Sequence, residues 1–393
     1  MEYRRFGKTN KKISAITLGG MRFKHGWDNP RTEIPSATQD HCNKVVDMAL
    51  KNGINHIETA YGYVKSETVF ARALNDELKI DRSRYYLMSK GNSTTADDMR
   101  RLVEEQLTTL KTDYLDFYAW HGINTNELIN LSCKSGGAVE ELHKMKEEGL
   151  IKHVGFSTHG SLDTITKTIS TDLFEFVNLH YYYFYQRNEA ALALAQEKDM
   201  GVFIISPNDK GGQLYQAPDK VHRAIPHATP IQWNARFCLS HPVVHTLSFG
   251  MTEAAHFNEM KGIFPSHIPL NTADQHSKGL LDNMVNDDPY AFYDAYDLPS
   301  DQSALDIPLL LHWRKLWKCY DLLDFARYRY KELKTPNHWV PGAFATPEAI
   351  GKIDFTQVPD GIPLREMLTE IHQTFYQAPP SNLFNPEGIT LAK

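Results

Sequence analysis

Between residues 13 and 261 the chain alternates short apolar runs with longer stretches whose apolar residues recur at helical spacing. The short runs are 13–18, 56–60, 85–90, 114–121, 153–158, 176–181, 201–206 and 244–249. Each is rich in β-branched or aromatic residues. Most are apolar on both faces, as strands covered by helices are. Helices are expected at 38–51, closed by Asn52-Gly53, and at 95–111, with apolar Met99, Leu102, Val103, Leu107 and Leu110. Two more are expected at 138–148 and 188–198. Eight alternations in about 250 residues fit a (β/α)8 TIM barrel. A doubly wound sheet is the alternative. It is weakened because no G-x-G-x-x-G follows the first run, and the pairs Gly19-Gly20, Gly136-Gly137 and Gly211-Gly212 lack that spacing.

The pattern changes after residue 261. Residues 262–306 are rich in Pro, Asp and Tyr without a clear period and read as a linker or wrapping segment. One helix is expected over 308–333, with Pro308 in its first turn and Asp306 placed to cap it. Arg314, Lys315, Lys318, Asp321, Asp324 and Arg327 exclude that helix as a membrane span. A last helix is expected over 363–375. The expected organisation is a barrel (1–261), a linker (262–306) and a small, mainly helical domain (307–393).

Composition narrows the functional class. The 393 residues are 41% hydrophobic and 23% charged, as in ordinary globular proteins, and the net charge is −6. A nucleic-acid binder shows a basic surplus instead, so nucleic acid is not an expected partner. No apolar run approaches the ~20 residues of a membrane span, and the N-terminal stretch lacks the apolar centre of a secretory signal. Cys42, Cys133, Cys238 and Cys319 are far apart, which argues against a disulfide framework or a metal site. These features predict a cytoplasmic protein that does not enter membranes.

Active residues of such a barrel sit at the C-terminal ends of its strands. The second run leads into Glu58 and Tyr63, the third ends at Lys90 and the fourth at His121. Singly, each also reads as structural: a rim ion pair, a loop aromatic, a core histidine. Together, at three successive strand ends, they make chemical sense. A free tyrosine has a pKa near 10. A neighbouring lysine favours the phenolate, and a carboxylate pairs the lysine. The phenol then hands a proton to a carbonyl oxygen, and a histidine orients that oxygen.

These residues carry a resemblance. The segments ETAYGYVKSE (58–67), LMSKGN (87–92), YLDFYAWH (114–121), GLIKHVGFSTHG (149–160), FVNLHY (176–181), GVFIISPNDKGGQL (201–214) and LSHPVVHTLSFGM (239–251) together resemble the aldo-keto reductases, in order along the whole barrel. The resemblance implies a (β/α)8 fold and NAD(P)H-dependent carbonyl reduction or alcohol oxidation. It implies that Tyr63 donates the proton, Lys90 tunes it and His121 binds the carbonyl. Glu58 stands where the family usually has aspartate, one methylene shorter.

Cofactor contacts are implied in the same way. Gly20, Met21 and Arg22 match the loop at the nicotinamide ribose, and Ser157 and Asn178 match the carboxamide positions, with Asn178 in place of the usual glutamine. Ser206, Asn208, Gly211 and Leu214 match the loop over the pyrophosphate. Asp209 in that loop is unfavourable beside phosphates unless it points away or pairs with Lys210. Gly250, Thr252, His256 and Glu259 belong to the loop that reads the adenosine end. That loop lacks a cation before Lys261, which leans towards NAD or dual use. The aromatic tract 180–187 reads equally as a pocket wall or as a seal on the barrel mouth.

Residues 304–333, 337–344 and 360–376 resemble the tail of aldo-keto reductases that carry a ferredoxin-like extension. The cysteine-rich segments of those members are absent, so a degenerate ferredoxin-like domain without an iron–sulfur cluster is expected. The substrate class implied is a small carbonyl compound or sugar, and a homo-oligomer is compatible with the sequence. The competing expectation is a catalytically weak, cofactor-binding sensor or adaptor subunit.

Overall fold

The structure is a computed structural model that describes residues 1–23, 30–296, 298, 303–333 and 342–377. Eight parallel strands close into a barrel in the order β10-β3-β4-β5-β6-β7-β8-β9. They are β3 (Ile16–Gly19), β4 (His56–Glu58), β5 (Tyr86–Gly91), β6 (Leu115–His121), β7 (Ile151–Ser157), β8 (Phe176–Leu179), β9 (Gly201–Ile204) and β10 (Thr246–Phe249). Each lies within or beside one of the eight apolar runs. Before them, β1 (Tyr3–Arg5) and β2 (Lys12–Ser14) form an antiparallel hairpin. The closed ring is the expected (β/α)8 barrel, and it removes the doubly wound alternative.

Alternate strand residues face the barrel axis. A buried apolar cluster fills the lower part: Met88, Phe117, Ala119, Phe176 and Phe203 from the strands, with Phe6 and Ile13 from the hairpin segment. Gly155 makes this packing possible, because a Cβ there would stand 2.5 Å from the Phe176 ring. Gly7 has φ +51°, and a Cβ on it would stand 2.3 Å from the Gly201 nitrogen. A turn that must press backbone to backbone at positive φ admits only glycine.

Three helices flank the site. α1 (Ser36–Lys51) starts two residues earlier than expected, straight after Pro35. α2 (Ser66–Ala71) follows the exit of β4. α3 (Ala96–Leu110) is capped by the Thr95 side chain, which accepts from the Asp98 amide, and it ends at Lys111 in the left-handed region.

The chain divides into two compact units, Met1–Gly279 and Leu280–Lys393. That border falls inside the segment read as a linker, which holds the helix Thr272–Asn283. The hydropathy pattern hides this helix because its buried face is mostly polar, with Asp274 and Ser277 beside a single leucine, Leu281. Asp274 accepts from His227 (2.8 Å) and Arg236 (3.3 Å), which explains its burial.

The single helix expected over 308–333 is two, Ile307–Tyr320 and Leu323–Lys331. Asp321 between them adopts φ +59°, and its amide donates back to the carbonyls of Leu316 and Trp317. Asp306 caps the first helix by accepting from the Leu309 amide, as its position predicts. The last helix is Leu364–Phe375. Most of the 337–344 piece lies outside the described residues.

Gly7→Ala is expected to lower stability by about 2 kcal/mol or more, since it adds both strain and backbone overlap. Urea unfolding of the two proteins measures it.

Candidate active site

The second, third and fourth barrel strands place four functional groups together. Glu58 ends β4, Lys90 sits near the end of β5 and His121 ends β6. Tyr63 stands in the 3-10 turn Tyr61–Tyr63 just after β4. Glu58 and Lys90 are only 4% and 2% exposed, and Lys90 Nζ forms an ion pair with Glu58 Oε1. Lys90 Nζ also donates to the Thr59 carbonyl at 3.0 Å. The Tyr63 hydroxyl donates to Glu58 Oε1 at 3.2 Å. Lys90 Nζ lies 4.8 Å from the centre of the Tyr63 ring, and the His121 ring meets that ring edge-on at 5.9 Å.

The strand next to β4 makes room for the acid. A Cβ on Gly19 would stand 3.2 Å from Glu58 Oε2. The longer side chain has a consequence: one carboxylate oxygen serves both the ammonium and the phenol. The phenol proton therefore points at Glu58, whereas the sequence argument had a lysine-stabilised phenolate. Burial pushes the Tyr63 phenol well above its usual value, and Arg22 opposes this. Burial pushes the Lys90 ammonium well below its usual value. His121 is pushed down to about 3 by burial, with Lys90 and Lys210 adding to the effect. At neutral pH the site thus holds a protonated phenol and an uncharged imidazole.

Beside these groups runs a row set by strand register. His121 pairs with Ser157, and Ser157 with Asn178. Ser157 Oγ accepts from the Gly122 amide at 3.1 Å. The Asn178 amide nitrogen reaches only Met88 Sδ (3.4 Å), and its Oδ1 is buried with no protein partner. Asn208 Oδ1 is likewise buried and unpartnered. An unmet buried amide oxygen costs about 1–3 kcal/mol. Asn178 and Asn208 therefore fit a polar ligand carrying N–H or O–H donors.

The remaining candidates fall into three loops. Gly20 donates its amide to Glu58 O (3.0 Å), Met21 is exposed, and Arg22 forms a 2.6 Å ion pair with Asp209. Asp209 also accepts from Tyr215 (3.0 Å), so Arg22 and Tyr215 hold the carboxylate, for which the sequence offered Lys210 as one alternative partner. Ser206 adopts φ +44°, a Cβ on Gly211 would stand 2.1 Å from the Pro207 carbonyl, and the buried Leu214 donates its amide to Asn208 O. The Arg22 side chain covers Gly250, where a Cβ would stand 2.4 Å from Arg22 Cγ. One arginine thus joins the loops after β3, β9 and β10. His256 Nδ1 accepts from the Thr252 amide at 3.1 Å. Glu259 turns elsewhere and accepts from Thr229 at the cap of the helix Pro230–Leu239.

In the aromatic tract, Tyr181, Tyr182, Tyr183 and Phe184 are all buried. Tyr181 and Tyr183 pack on Phe237, the behaviour of a seal. The sequence does not single out Tyr61, which opens the turn that carries Tyr63, or Arg31 and Glu67, which pack around that turn. Glu67 and Tyr61 stood inside the quoted segment 58–67, but their spacing to Tyr63 carries no chemical signature of its own.

With this geometry in place, comparison with known proteins is direct. The aldo/keto reductase family model matches residues 15–219. The chain is 27% identical over 244 residues to L-galactose dehydrogenase of Arabidopsis thaliana, covering 58% of this chain and 71% of that protein. It is 26% identical over 162 residues to D-arabinose 1-dehydrogenase of Saccharomyces cerevisiae, covering 39% of this chain and 45% of that one. Among solved structures, it is similar in fold to an aldo-keto reductase from Bacillus halodurans in its holo form, with TM-score 0.58, 21% identity, and 71% of this chain against 96% of that one.

His121 is expected to stay uncharged down to about pH 3. A group whose pKa falls on folding binds its proton more readily in the unfolded chain, so folding stability drops as pH falls from 6.5 towards 3. The His121 ring signal, assigned through His121→Gln, should not titrate in NMR spectra between pH 8 and pH 5.

Proposed function

This chain belongs to the aldo/keto reductase family and is an oxidoreductase of that family, and from that premise we propose that it moves a hydride between NAD(P)H and a small carbonyl compound or sugar, with Tyr63 as the acid–base group. The observation that carries the reading is the convergence of half-buried Tyr63 and His121 on the buried Glu58–Lys90 pair at the C-terminal strand ends. The unmet oxygen of Asn178 supports Ser157 and Asn178 as the holders of the nicotinamide carboxamide. Arg22 and the loop around Gly211 suit the phosphate-bearing part, and the unmet oxygen of Asn208 suits a donor such as a ribose hydroxyl. When bound, the nicotinamide supplies or accepts the hydride.

The protein's own part is to hold the carbonyl and to manage one proton. Tyr63 has a single hydroxyl proton, and in this structure it goes to Glu58. Turning that proton onto a substrate oxygen makes the phenol a general acid. The phenolate left behind lies beside the Lys90 ammonium, which stabilises it in a dry setting. The uncharged His121 supplies a hydrogen bond to the same oxygen without contributing a positive charge that would oppose Lys90. Reversed, the cluster takes a proton from an alcohol, which matches two relatives named as sugar dehydrogenases.

One observation favours the competing sensor or adaptor reading: the Tyr63 proton is tied to Glu58 and its phenol is raised, which slows proton transfer. The two readings separate on turnover. Tyr63→Phe is expected to lower carbonyl turnover with NADH or NADPH by about 10²-fold or more, while cofactor titration by fluorescence still shows binding. Tight cofactor binding by wild type without turnover of any aldehyde, ketone or sugar in a broad panel would favour the sensor.

For the unit Leu280–Lys393 we read a helical extension without a cluster, because Cys319 is the single cysteine in that span and one thiolate cannot hold a cluster. Anaerobically purified protein is expected to contain no stoichiometric iron or acid-labile sulfide, and finding either would overturn this.

A further inference from the structure

A buried polar network lies behind the catalytic turn. Its centre is Glu67 of α2, whose side chain is fully buried. Glu67 Oε1 accepts from Ser89 Oγ and from Gln106 Nε2, both at 2.6 Å. Gln106 Nε2 also reaches the Lys90 carbonyl at 3.2 Å, and Gln106 Oε1 accepts from the Tyr118 hydroxyl at 2.7 Å. The network therefore touches the backbone of Lys90 itself. It also touches β6 three residues before His121.

Its cation comes from the stretch between β3 and α1. Arg31 pairs with Glu67 Oε2. The same guanidinium lies 4.0 Å from the centre of the Tyr61 ring. Tyr61 opens the 3-10 turn that Tyr63 closes. That turn is followed by Val64 at φ +54°, a conformation that a β-branched residue adopts only when its surroundings impose it. The turn is thus held by tertiary contacts and not by its own preference. Arg31 is suited to hold it: a flat guanidinium lies against a ring while its forked N–H groups bind a carboxylate in a fixed direction, which a freely rotating ammonium does less sharply.

We propose that Arg31 is a positioning residue for this site: seated between Tyr61 and Glu67, it sets where the turn carries the Tyr63 hydroxyl. The inference rests on the reading of Tyr63 given above. Arg31 acts through Tyr61 and touches no reacting atom. The same inter-element stretch carries Arg22 at its other side, paired to Asp209, so it is pinned at both the cofactor loop and the catalytic turn.

The test uses Arg31→Met, Tyr61→Leu, the double variant and Arg31→Lys, each first shown to be folded by circular dichroism. Arg31→Met and Tyr61→Leu should each lower kcat by about 10-fold or more, because a sub-ångström displacement of a reacting group is enough for such losses. KM for the carbonyl should move far less. The double variant should lose no more than the worse single one, and Arg31→Lys should fall between wild type and Arg31→Met. A second readout needs no turnover. With 13Cζ-labelled tyrosine, the Tyr63 signal, assigned through Tyr63→Phe, should shift in Arg31→Met. An unchanged kcat together with an unmoved Tyr63 signal would overturn the proposal. So would losses that multiply in the double variant. A wild-type protein without hydride transfer would instead sink the reading of the function, and the tyrosine signal would still decide the role of Arg31.

Discussion

The buried ion pair between Glu58 and Lys90 is the constraint on which the site depends. Two charges at the strand ends are nearly closed to water, and either one alone would be costly there. The pair persists because each member has a second partner: Lys90 has the Thr59 carbonyl, and Glu58 has the Tyr63 hydroxyl. Neighbouring groups of the site lean on this arrangement. The phenol is held by the acid, the imidazole is kept neutral partly by the ammonium, and the turn that carries the phenol is anchored where β4 ends.

The extra methylene of Glu58 is accommodated locally. Gly19 leaves the space, and the carboxylate then reaches far enough to accept from the phenol as well as the ammonium. In the proposed reaction, proton transfer from Tyr63 begins with a change of hydrogen-bond partner. A shorter acid at the end of the same strand would reach less far towards the phenol.

Around this centre the loops are joined by ion pairs between residues distant in sequence. Arg22 reaches Asp209 across the barrel mouth and lies over Gly250. Arg31 reaches Glu67 and covers Tyr61. Both arginines belong to the single connection between β3 and α1. The barrel supplies the strand ends, and Arg22 and Arg31 pair with residues of the loops that follow them.

Much of this was legible before any coordinates. The eight apolar runs, the strand-end positions of Glu58, Lys90 and His121, and the cap at Asp306 follow from local rules: side-chain period, propensity and hydrogen bonding within a few residues. What stayed hidden depends on partners that are far away along the chain. The helix Thr272–Asn283 buries Asp274 and Ser277, so its inner face does not read as apolar, and the acid is paired through one oxygen with His227 and Arg236. The break at Asp321 is a left-handed residue inside a continuous helical pattern. The direction of the Tyr63 proton, the pairing of Asp209 with Arg22 and the seat of Arg31 depend on angstrom-scale distances across the barrel. The order of residues determined which groups gather at the strand ends, because register and periodicity are local. Which of them exchange hydrogen bonds was decided only by closure of the barrel, because burial and Coulomb interaction act through space and not along the chain.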